Sequence, residues 1–202
     1  DTDAGKLAKI DIHRNFSSEF LENLKNDSPE LFKAAMCILN GGIVAIKDIG
    51  GYHLACNPFD YVAVNKLRLL KHREAKAFAV MFYDAAQVKE YCYADEQEID
   101  LIETSARPIV LLKCKSDVIK PLAENVCLTS PSIGAMLPSN PVQILLAKAC
   151  GPLIMTSANA SGDVLETDDD KMKIWLEERA ISSEMTDATL AMLSHDRMIL
   201  RP

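Results

Sequence analysis

The chain has 202 residues, which is enough for one sizeable domain with its own hydrophobic core. Hydrophobic residues make up 49% and charged residues 25% of the sequence, a composition that excludes a disordered or fibrous chain. The formal net charge of -7 excludes a general attraction to nucleic acid or anionic membranes, so any basic surface must be local.

The N-terminal part of the chain divides at a helix start. Residues 1–27 are polar with weak periodicity, and we expect a linker or a peripheral extension there. Ser28, Pro29 and Glu30 then combine a capping side chain, a proline at the first helical position and an acid near the positive helix end. This pattern predicts a helix over residues 31–39, so the ordered domain is predicted to span residues 28–202.

Strands and helices alternate from residue 43 onward. In chain order, the patterns predict extended segments at 43–47 and 52–56, a helix from Asp60 to about 71, a strand at 78–82, a helix from Asp84 to about 93, strands at 108–113 and 133–137, a helix at 141–150, a strand at 152–156 and a helix at 168–179. This alternation favours an α/β fold. Because some links between strands are too short for a simple doubly wound sheet, we expect a mixed, twisted sheet flanked by helices.

A basic segment with Lys71, Arg73 and Lys76 directly precedes the strand predicted at 78–82. Because the preceding helix has ended, these side chains can converge on one side of a loop. Such a group suits a triphosphate, since an arginine fork and lysine ammonium groups neutralise several oxygens together. Taken alone, a run of charges is more often a solvated surface.

A polar loop follows the strand predicted at 152–156 and contains Thr156, Ser157 and Asn159. Their hydroxyl and amide groups, together with main-chain N–H groups, can donate to phosphate or ribose. Ligands often bind at such strand ends in α/β folds, although an ordinary polar turn has the same composition.

A third candidate is the turn that contains Lys47, Gly50, Gly51 and His53. Paired glycines permit close approach of the backbone to a small ligand, and a histidine offers a hydrogen bond or a proton near neutral pH. A lone histidine beside apolar residues is more often structural.

The C-terminal residues His195 and Arg197 either add cations to a phosphate or hold the last strand. The Gly-x-x-x-x-Gly-Lys-[Ser/Thr] and Gly-x-Gly-x-x-Gly patterns are absent from the sequence. A nucleotide would therefore be held by dispersed basic and hydroxyl side chains.

The six cysteines form no Cys-x-x-Cys pair and no Cys/His group at zinc-ligand spacing, so no metal site is predicted. Most lie in apolar runs, which indicates reduced, buried thiols and a reducing, cytoplasmic compartment. No apolar stretch approaches the roughly 20 residues of a membrane span, and no secretory signal is present. Since the chain begins without a methionine, we expect a fragment of a longer protein.

Several segments resemble the YrdC-like domain of HypF-type carbamoyltransferases in their amino-acid sequence and in their order along the chain, over about residues 33–201. These segments are 42–47, 50–56, 67–68, 71–73, 76, 79–81, 106–112, 133–138, 152–159 and 195–197. The resemblance implies a YrdC-like α/β fold with a concave, basic nucleotide site. It also implies that the domain uses ATP, expected with Mg²⁺, and a carbamoyl group derived from carbamoyl phosphate to make carbamoyl-adenylate.

The residues that match the motifs take roles from this resemblance. The resemblance implies nucleotide binding by Lys71, Arg73, Lys76, Thr156, Ser157, Asn159, His195 and Arg197. The first three are also expected to act in catalysis. The carbamoyl pocket falls to Lys47, Gly50, Gly51 and His53. The expected partners are the other HypF domains and HypE, in the maturation of [NiFe] hydrogenase.

Three alternatives stay open, the last of them an inert interaction domain that only docks on the other domains of its parent protein. Related YrdC enzymes make threonylcarbamoyl-adenylate for tRNA modification, but they usually carry Pro-Thr-Glu where this chain has residues 47–51. A double-stranded RNA-binding module is the second, and the acidic charge and the lack of aromatic-basic interleaving argue against it. Glu74 and Ala77 stand where the family usually has prolines, a departure that predicts reduced ATP affinity.

Overall fold

The computed structural model describes residues 18–48, 50–159, 164–182, 190–193 and 198–201. The helices in these residues are α1 (Ser18–Asp27), α2 (Pro29–Leu39), α3 (Tyr61–Lys71), α4 (Ala85–Tyr91), α5 (Glu96–Glu103), α6 (Glu124–Cys127), α7 (Pro141–Cys150) and α8 (Asp169–Ser182). The strands are β1 (Ile43–Asp48), β2 (Gly51–Cys56), β3 (Ala79–Met81), β4 (Cys92–Tyr93), β5 (Val110–Cys114), β6 (Ser132–Met136), β7 (Leu153–Ser157), β8 (Leu190–Leu193) and β9 (Met198–Arg201).

These nine strands form one mixed sheet, which confirms the predicted α/β class. The strand order is β4-β5-β6-β3-β7-β2-β1-β8-β9. Strand β3 runs parallel to β6, and β1 runs parallel to β8. The other neighbouring pairs within the described residues are antiparallel, including β1–β2, β2–β7 and β3–β7. The carboxyl end of β7 therefore lies beside the amino end of β3, which follows the basic segment.

Helices cover both faces of the sheet, because successive side chains of a strand point to opposite faces. Leu54 of β2 belongs to the cluster that contains Leu67 of α3 and Met172 of α8. Its neighbour Ala55 belongs to the second cluster, which contains Ile38 of α2 and Leu146 of α7. The sheet is thus the middle layer of the fold.

Helix α3 leads into the basic segment, and local interactions explain where the helix begins and ends. The Asp60 carboxylate accepts hydrogen bonds from the N–H groups of Val62 and Ala63, as the sequence predicts. The helix ends where His72 adopts a left-handed conformation with φ 47°. The N–H of Arg73 then donates to the Arg68 carbonyl at 3.0 Å, so the chain turns sharply out of the helix.

Several elements differ from the sequence-based expectations. Residues 18–27 form helix α1, whose Leu21 and Leu24 are buried against the second core cluster. The boundary at residue 27 remains a prediction, and residues 1–17 lie outside the described part. Ser28 does precede a helix, but its side chain makes no capping hydrogen bond.

Other differences lie near the sheet edge. The helix expected up to residue 93 ends at Tyr91, and Cys92–Tyr93 pair with β5 as an edge strand. Helix α5 was not predicted, although Asp95 and Glu98 form the capping box that signals its start. Of the helices that the structure describes, none is long and apolar enough to cross a membrane.

Candidate functional site

The basic segment and the polar loop meet at Lys71, the last residue of α3. Its ammonium group donates to the main-chain carbonyl oxygens of Ser157 and Asn159, at 2.9 Å for the latter. A longer contact of 3.4 Å joins it to the Asn159 side-chain oxygen. The structure therefore brings together two segments that the sequence analysis selected separately.

The environment of Lys71 disfavours its charge. The residue is only 8% exposed, and its partners among the described residues are amide oxygens rather than carboxylates. Burial lowers the pKa of Lys71 to about 8, and the positive charges of Arg73 and Arg179 act in the same direction. An anion bound here would relieve this electrostatic cost.

Arg73 is half-buried and closes the loop that leads into β3. Its Nη2 donates to the Ala77 carbonyl at 2.6 Å, and its Nε donates to the Lys76 carbonyl at 3.2 Å. The guanidinium group also lies 5.0 Å from the centre of the Phe78 ring. These bonds use two of its five N–H donors, and burial lowers the pKa of the group.

Lys76 lies in the same loop, and its side chain is exposed. Glu74, which introduces a negative charge into the segment, is exposed as well. The three predicted cations thus differ in position: Lys71 is buried, Arg73 is half-buried and Lys76 faces solvent.

Arg68 organises the basic loop, a role that was not predicted from the sequence. Its guanidinium group donates to the Arg73 carbonyl at 2.8 Å and to the Lys76 carbonyl at 3.1 Å. It also donates to the carbonyls of Asn125 at 2.7 Å and Val126 at 3.3 Å.

A detectable sequence signal did exist for this role. Arg68 follows Leu67 on the apolar face of α3, and an arginine on such a face requires buried hydrogen-bond acceptors.

The polar loop is held by contacts of its own. The Ser157 hydroxyl donates to the Asn159 side-chain oxygen at 2.6 Å, and the Ala158 N–H donates to the Tyr52 carbonyl at 2.8 Å. Thr156 is buried within β7, so its hydroxyl is less accessible than the side chains of Ser157 and Asn159.

His53 lies beside the polar loop, because it is directly opposite Ser157 in the β2–β7 pair. Its Nδ1 is buried, makes no hydrogen bond, and lies 3.9 Å from Oδ2 of Asp48. Asp48 accepts hydrogen bonds from the side-chain amides of Asn140 at 2.8 Å and Gln143 at 2.6 Å. These amides fix the carboxylate that faces the imidazole.

The side chain of Lys47 does not lie beside that of His53. Lys47 pairs with Tyr52 whereas His53 pairs with Ile46, so Lys47 and His53 point to opposite faces of the β1–β2 hairpin. The Lys47 ammonium group lies 2.5 Å from Oδ1 of Asp169, which also accepts a hydrogen bond from the Tyr52 hydroxyl at 2.8 Å. Strand alternation therefore separates Lys47 from the other pocket residue His53, and substrate binding by these two residues remains a prediction.

Of the two glycines of the turn, Gly51 is required by contacts within the chain itself. Gly51 has φ +128°, and a Cβ there would lie 2.6 Å from the Glu166 carbonyl oxygen. That oxygen accepts a hydrogen bond from the Tyr52 N–H at 2.8 Å. A Cβ on Gly50 would be 3.7 Å from its nearest neighbour, Leu165. The close approach that Gly51 permits is made by the protein's own backbone, and substrate binding by Gly50 and Gly51 remains a prediction.

The other site predictions remain untested. His195 and Arg197 lie outside the described residues. Within the described ranges, no group of three His, Cys, Asp or Glu side chains is placed to hold a metal ion.

Comparison with known proteins decides the family. A model of the Sua5/YciO/YrdC family, which carries the description "Telomere recombination", matches residues 36–195. The chain belongs to the Sua5/YciO/YrdC family. As a member of this family it is similar to carbamoyltransferase HypF from Synechocystis, with 36% identity over 163 residues. This match covers 80% of the chain but only 20% of HypF, so the chain spans about a fifth of that relative.

Solved structures of Sua5/YciO/YrdC domains have the same fold. Full-length HypF in a phosphate- and nucleotide-bound form superposes with a TM-score of 0.67 and 30% identity. That match covers 93% of this chain and 24% of the HypF chain. Escherichia coli YciO superposes with a TM-score of 0.63 and 22% identity, covering 84% of this chain and 86% of YciO, and this likeness shows the fold alone.

Proposed function

We propose that this domain binds ATP and uses it to adenylate a carbamoyl group in a HypF-type carbamoyltransferase, for the maturation of [NiFe] hydrogenase. The observation that carries the proposal is the contact between Lys71 and the Ser157–Asn159 loop, next to Arg73. The HypF structure in a phosphate- and nucleotide-bound form supports it, because that protein shares 30% identity and the same fold.

The basic segment binds the triphosphate group of ATP. A carbamate oxygen attacks the α-phosphorus of ATP, the bond to the β-phosphate oxygen breaks, and pyrophosphate leaves while carbamoyl-adenylate forms. Lys71, Arg73 and Lys76 neutralise the charge that develops on the departing pyrophosphate. Lys71 suits this role because it is poorly solvated and has only neutral oxygen partners among the described residues.

The polar loop takes the α-phosphate and ribose end of the nucleotide. Ser157 and Asn159 offer a hydroxyl and an amide beside the Lys71 ammonium group. Thr156 contributes mainly by holding β7 in place, since its side chain is buried.

Binding of the carbamoyl group is assigned to His53. This residue is the cross-strand neighbour of Ser157, so a group bound at His53 lies next to the α-phosphate site. Asp48 orients the imidazole from the other side. We reassign Lys47 to a structural role, in which its ion pair with Asp169 holds the start of α8 against β1.

Magnesium would enter with the nucleotide. ATP phosphate oxygens are hard ligands that suit Mg²⁺, and no cluster of acidic side chains within the described ranges offers a dedicated site. The ion would supply charge neutralisation on the phosphates, while the residues named above position them.

Completion of the pathway requires parts beyond this chain. The chain spans about a fifth of the curated HypF relative, so transfer of the carbamoyl group to HypE is assigned to other HypF domains. A cytoplasmic location fits this pathway and the cysteines of the described residues, none of which forms a disulfide bond.

A pyrophosphate-exchange assay tests the proposal. Radiolabelled pyrophosphate is incubated with ATP and this protein, in the presence of carbamoyl phosphate or of ammonium bicarbonate, which supplies carbamate directly. Exchange of label into ATP with the carbamate source supports the assignment. Exchange only with threonine plus bicarbonate would assign the domain to threonylcarbamoyl-adenylate synthesis instead, and no exchange with any substrate would contradict both.

A further inference from the structure

Two thiols lie close together outside the nucleotide site. Cys114 ends β5 and Cys127 ends α6, and their sulfur atoms are 3.8 Å apart. Both residues are half-buried, whereas Cys37, Cys56, Cys92 and Cys150 are buried. Cys114 and Cys127 are thus close to each other and partly accessible to solvent, whereas the other four cysteines are buried.

A small cavity opens onto this pair. Its volume is about 170 Å³, and its lining includes Tyr91, Cys114, Val118, Leu122 and Cys127. A water molecule occupies roughly 30 Å³ of liquid volume, so a molecule a little larger than water fits the cavity easily.

The contact between the two sulfur atoms shifts the pKa values of the two thiols in opposite directions. A hydrogen bond from the Cys127 thiol lowers the pKa of Cys114 to about 7, against an opposing effect of burial, and a hydrogen bond from the Ile133 N–H adds to the lowering. The same hydrogen bond, together with burial, raises the pKa of Cys127. These opposite directions favour Cys114 as the thiolate and Cys127 as the proton donor of the pair.

We propose that Cys114 and Cys127 form a redox-active dithiol that a small peroxide converts to an intramolecular disulfide. The Cys114 thiolate attacks one peroxide oxygen, the O–O bond breaks, and a sulfenic acid and hydroxide form, the latter leaving as water. The Cys127 sulfur then attacks the sulfenic sulfur, the S–O bond breaks, and a second water leaves. In total, two thiols and one hydrogen peroxide give one disulfide and two waters, with two electrons passing from sulfur to the peroxide.

The surrounding backbone keeps the two sulfur atoms together. The Cys114 N–H donates to the Pro131 carbonyl at 2.9 Å, within a strand paired on both sides. Val126, which precedes Cys127, accepts hydrogen bonds at its carbonyl from the Phe78 N–H at 3.0 Å and from Arg68. Because both ends are anchored, the second step is intramolecular and outruns capture by another thiol.

Cys92 is the natural competitor, since it is the cross-strand neighbour of Cys114. Burial raises the pKa of Cys92 to about 12, and the Cys114 charge acts in the same direction. Burial also raises the pKa of Cys37 to about 11. Neither residue is expected to react before Cys114.

Intact-mass spectrometry of the wild-type chain tests the proposal. The reduced protein is treated with a small excess of hydrogen peroxide at pH 7.5, denatured, and labelled with N-ethylmaleimide. We expect four labels in place of six, a Cys114–Cys127 linked peptide after digestion, and full recovery of six labels after dithiothreitol. Six labels after peroxide, or a Cys92–Cys114 link, would overturn the proposal.

Single variants separate the two roles. In C127S, Cys114 is expected to stop at the sulfenic acid, which dimedone traps. In C114S the peroxide reaction is expected to be lost, and in the control C37A the disulfide is expected to form as in the wild type. Equal dimedone labelling of Cys127 in C114S would contradict the assignment of Cys114 as the attacking residue. The wild-type measurement does not depend on any variant being folded.

Discussion

The ammonium group of Lys71 donates a hydrogen bond to the main-chain carbonyl of Asn159 at 2.9 Å, across 88 positions of the chain. This contact joins the end of helix α3 to the loop after strand β7. It places a buried cation beside the Ser157 hydroxyl and the Asn159 amide, and the proposed nucleotide site follows from that arrangement.

Removal of the Lys71 charge is expected to weaken ATP binding. A hydrogen bond to a charged group contributes about 1.5–3 kcal/mol, so K71M should raise the Kd for ATP by about 10–150-fold. Isothermal titration calorimetry measures this change. The control is K33M, which removes an exposed lysine of helix α2 and should leave the Kd unchanged. Equal affinities of K71M and the wild type would refute the assignment.

ATP affinity is expected to fall as the pH rises through about 8. The folded-state pKa of Lys71 is lowered to about 8 from an ordinary value of 10.5, so the free protein loses this charge within the range from pH 7 to 9. Phosphate favours the protonated amine, and binding above pH 8 therefore takes up a proton. In K71R the dependence should flatten, because arginine stays charged. A pH-independent Kd in the wild type would show that Lys71 does not contact the phosphates.

Loss of Arg68 is expected to lower both stability and ATP affinity. In R68M the carbonyl groups of Arg73, Lys76 and Asn125 lose a buried donor, at a cost of about 1–3 kcal/mol for each group left unpaired. Urea unfolding should show a lower midpoint, and calorimetry a weaker ATP complex. R68K keeps the positive charge but lacks the planar guanidinium group that reaches several carbonyls, so it should recover only part of the lost stability and ATP affinity. If R68M lost stability but kept the wild-type Kd, a role in positioning the loop would be excluded.

Substitution of His53 is expected to separate carbamoyl use from ATP binding. H53Q removes the imidazole that faces Asp48, so carbamate-dependent pyrophosphate exchange should fall about tenfold or more, as for loss of one hydrogen bond of about 1.5 kcal/mol. The Kd for ATP should stay within about twofold. A parallel loss of both would show that His53 acts on the nucleotide or on the fold.

The Gly50–Gly51 turn provides a matched pair of variants. In G51A the new methyl group would meet the Glu166 carbonyl at 2.6 Å with a strained backbone, which should destabilise the fold by about 1–3 kcal/mol. G50A meets only Leu165 at 3.7 Å and should stay within about 0.5 kcal/mol of the wild type. Thermal unfolding distinguishes them, and equal stabilities would contradict the described turn.

Local patterns were sufficient for much of the fold. The cap at Asp60, the β-branched run of β1 and the polar loop after β7 each depend on residues close together in sequence, so periodicity and turn chemistry identify them. Helix α1 was not predicted, because its three apolar residues, Phe20, Leu21 and Leu24, are too few for a strong pattern. Their burial depends on packing against helix α2 and the rest of the second core cluster.

By itself, the sequence determined the α/β class and selected the residues for which phosphate binding is proposed, because charge, capping and hydrophobic period are local properties. Only the tertiary structure decided which of these residues meet. It joined Lys71 to Asn159, placed His53 beside Ser157, and directed Lys47 to Asp169 on the other face of the sheet. The physical reason is that strand alternation and sheet order set these contacts, and both depend on pairing between segments far apart in the chain.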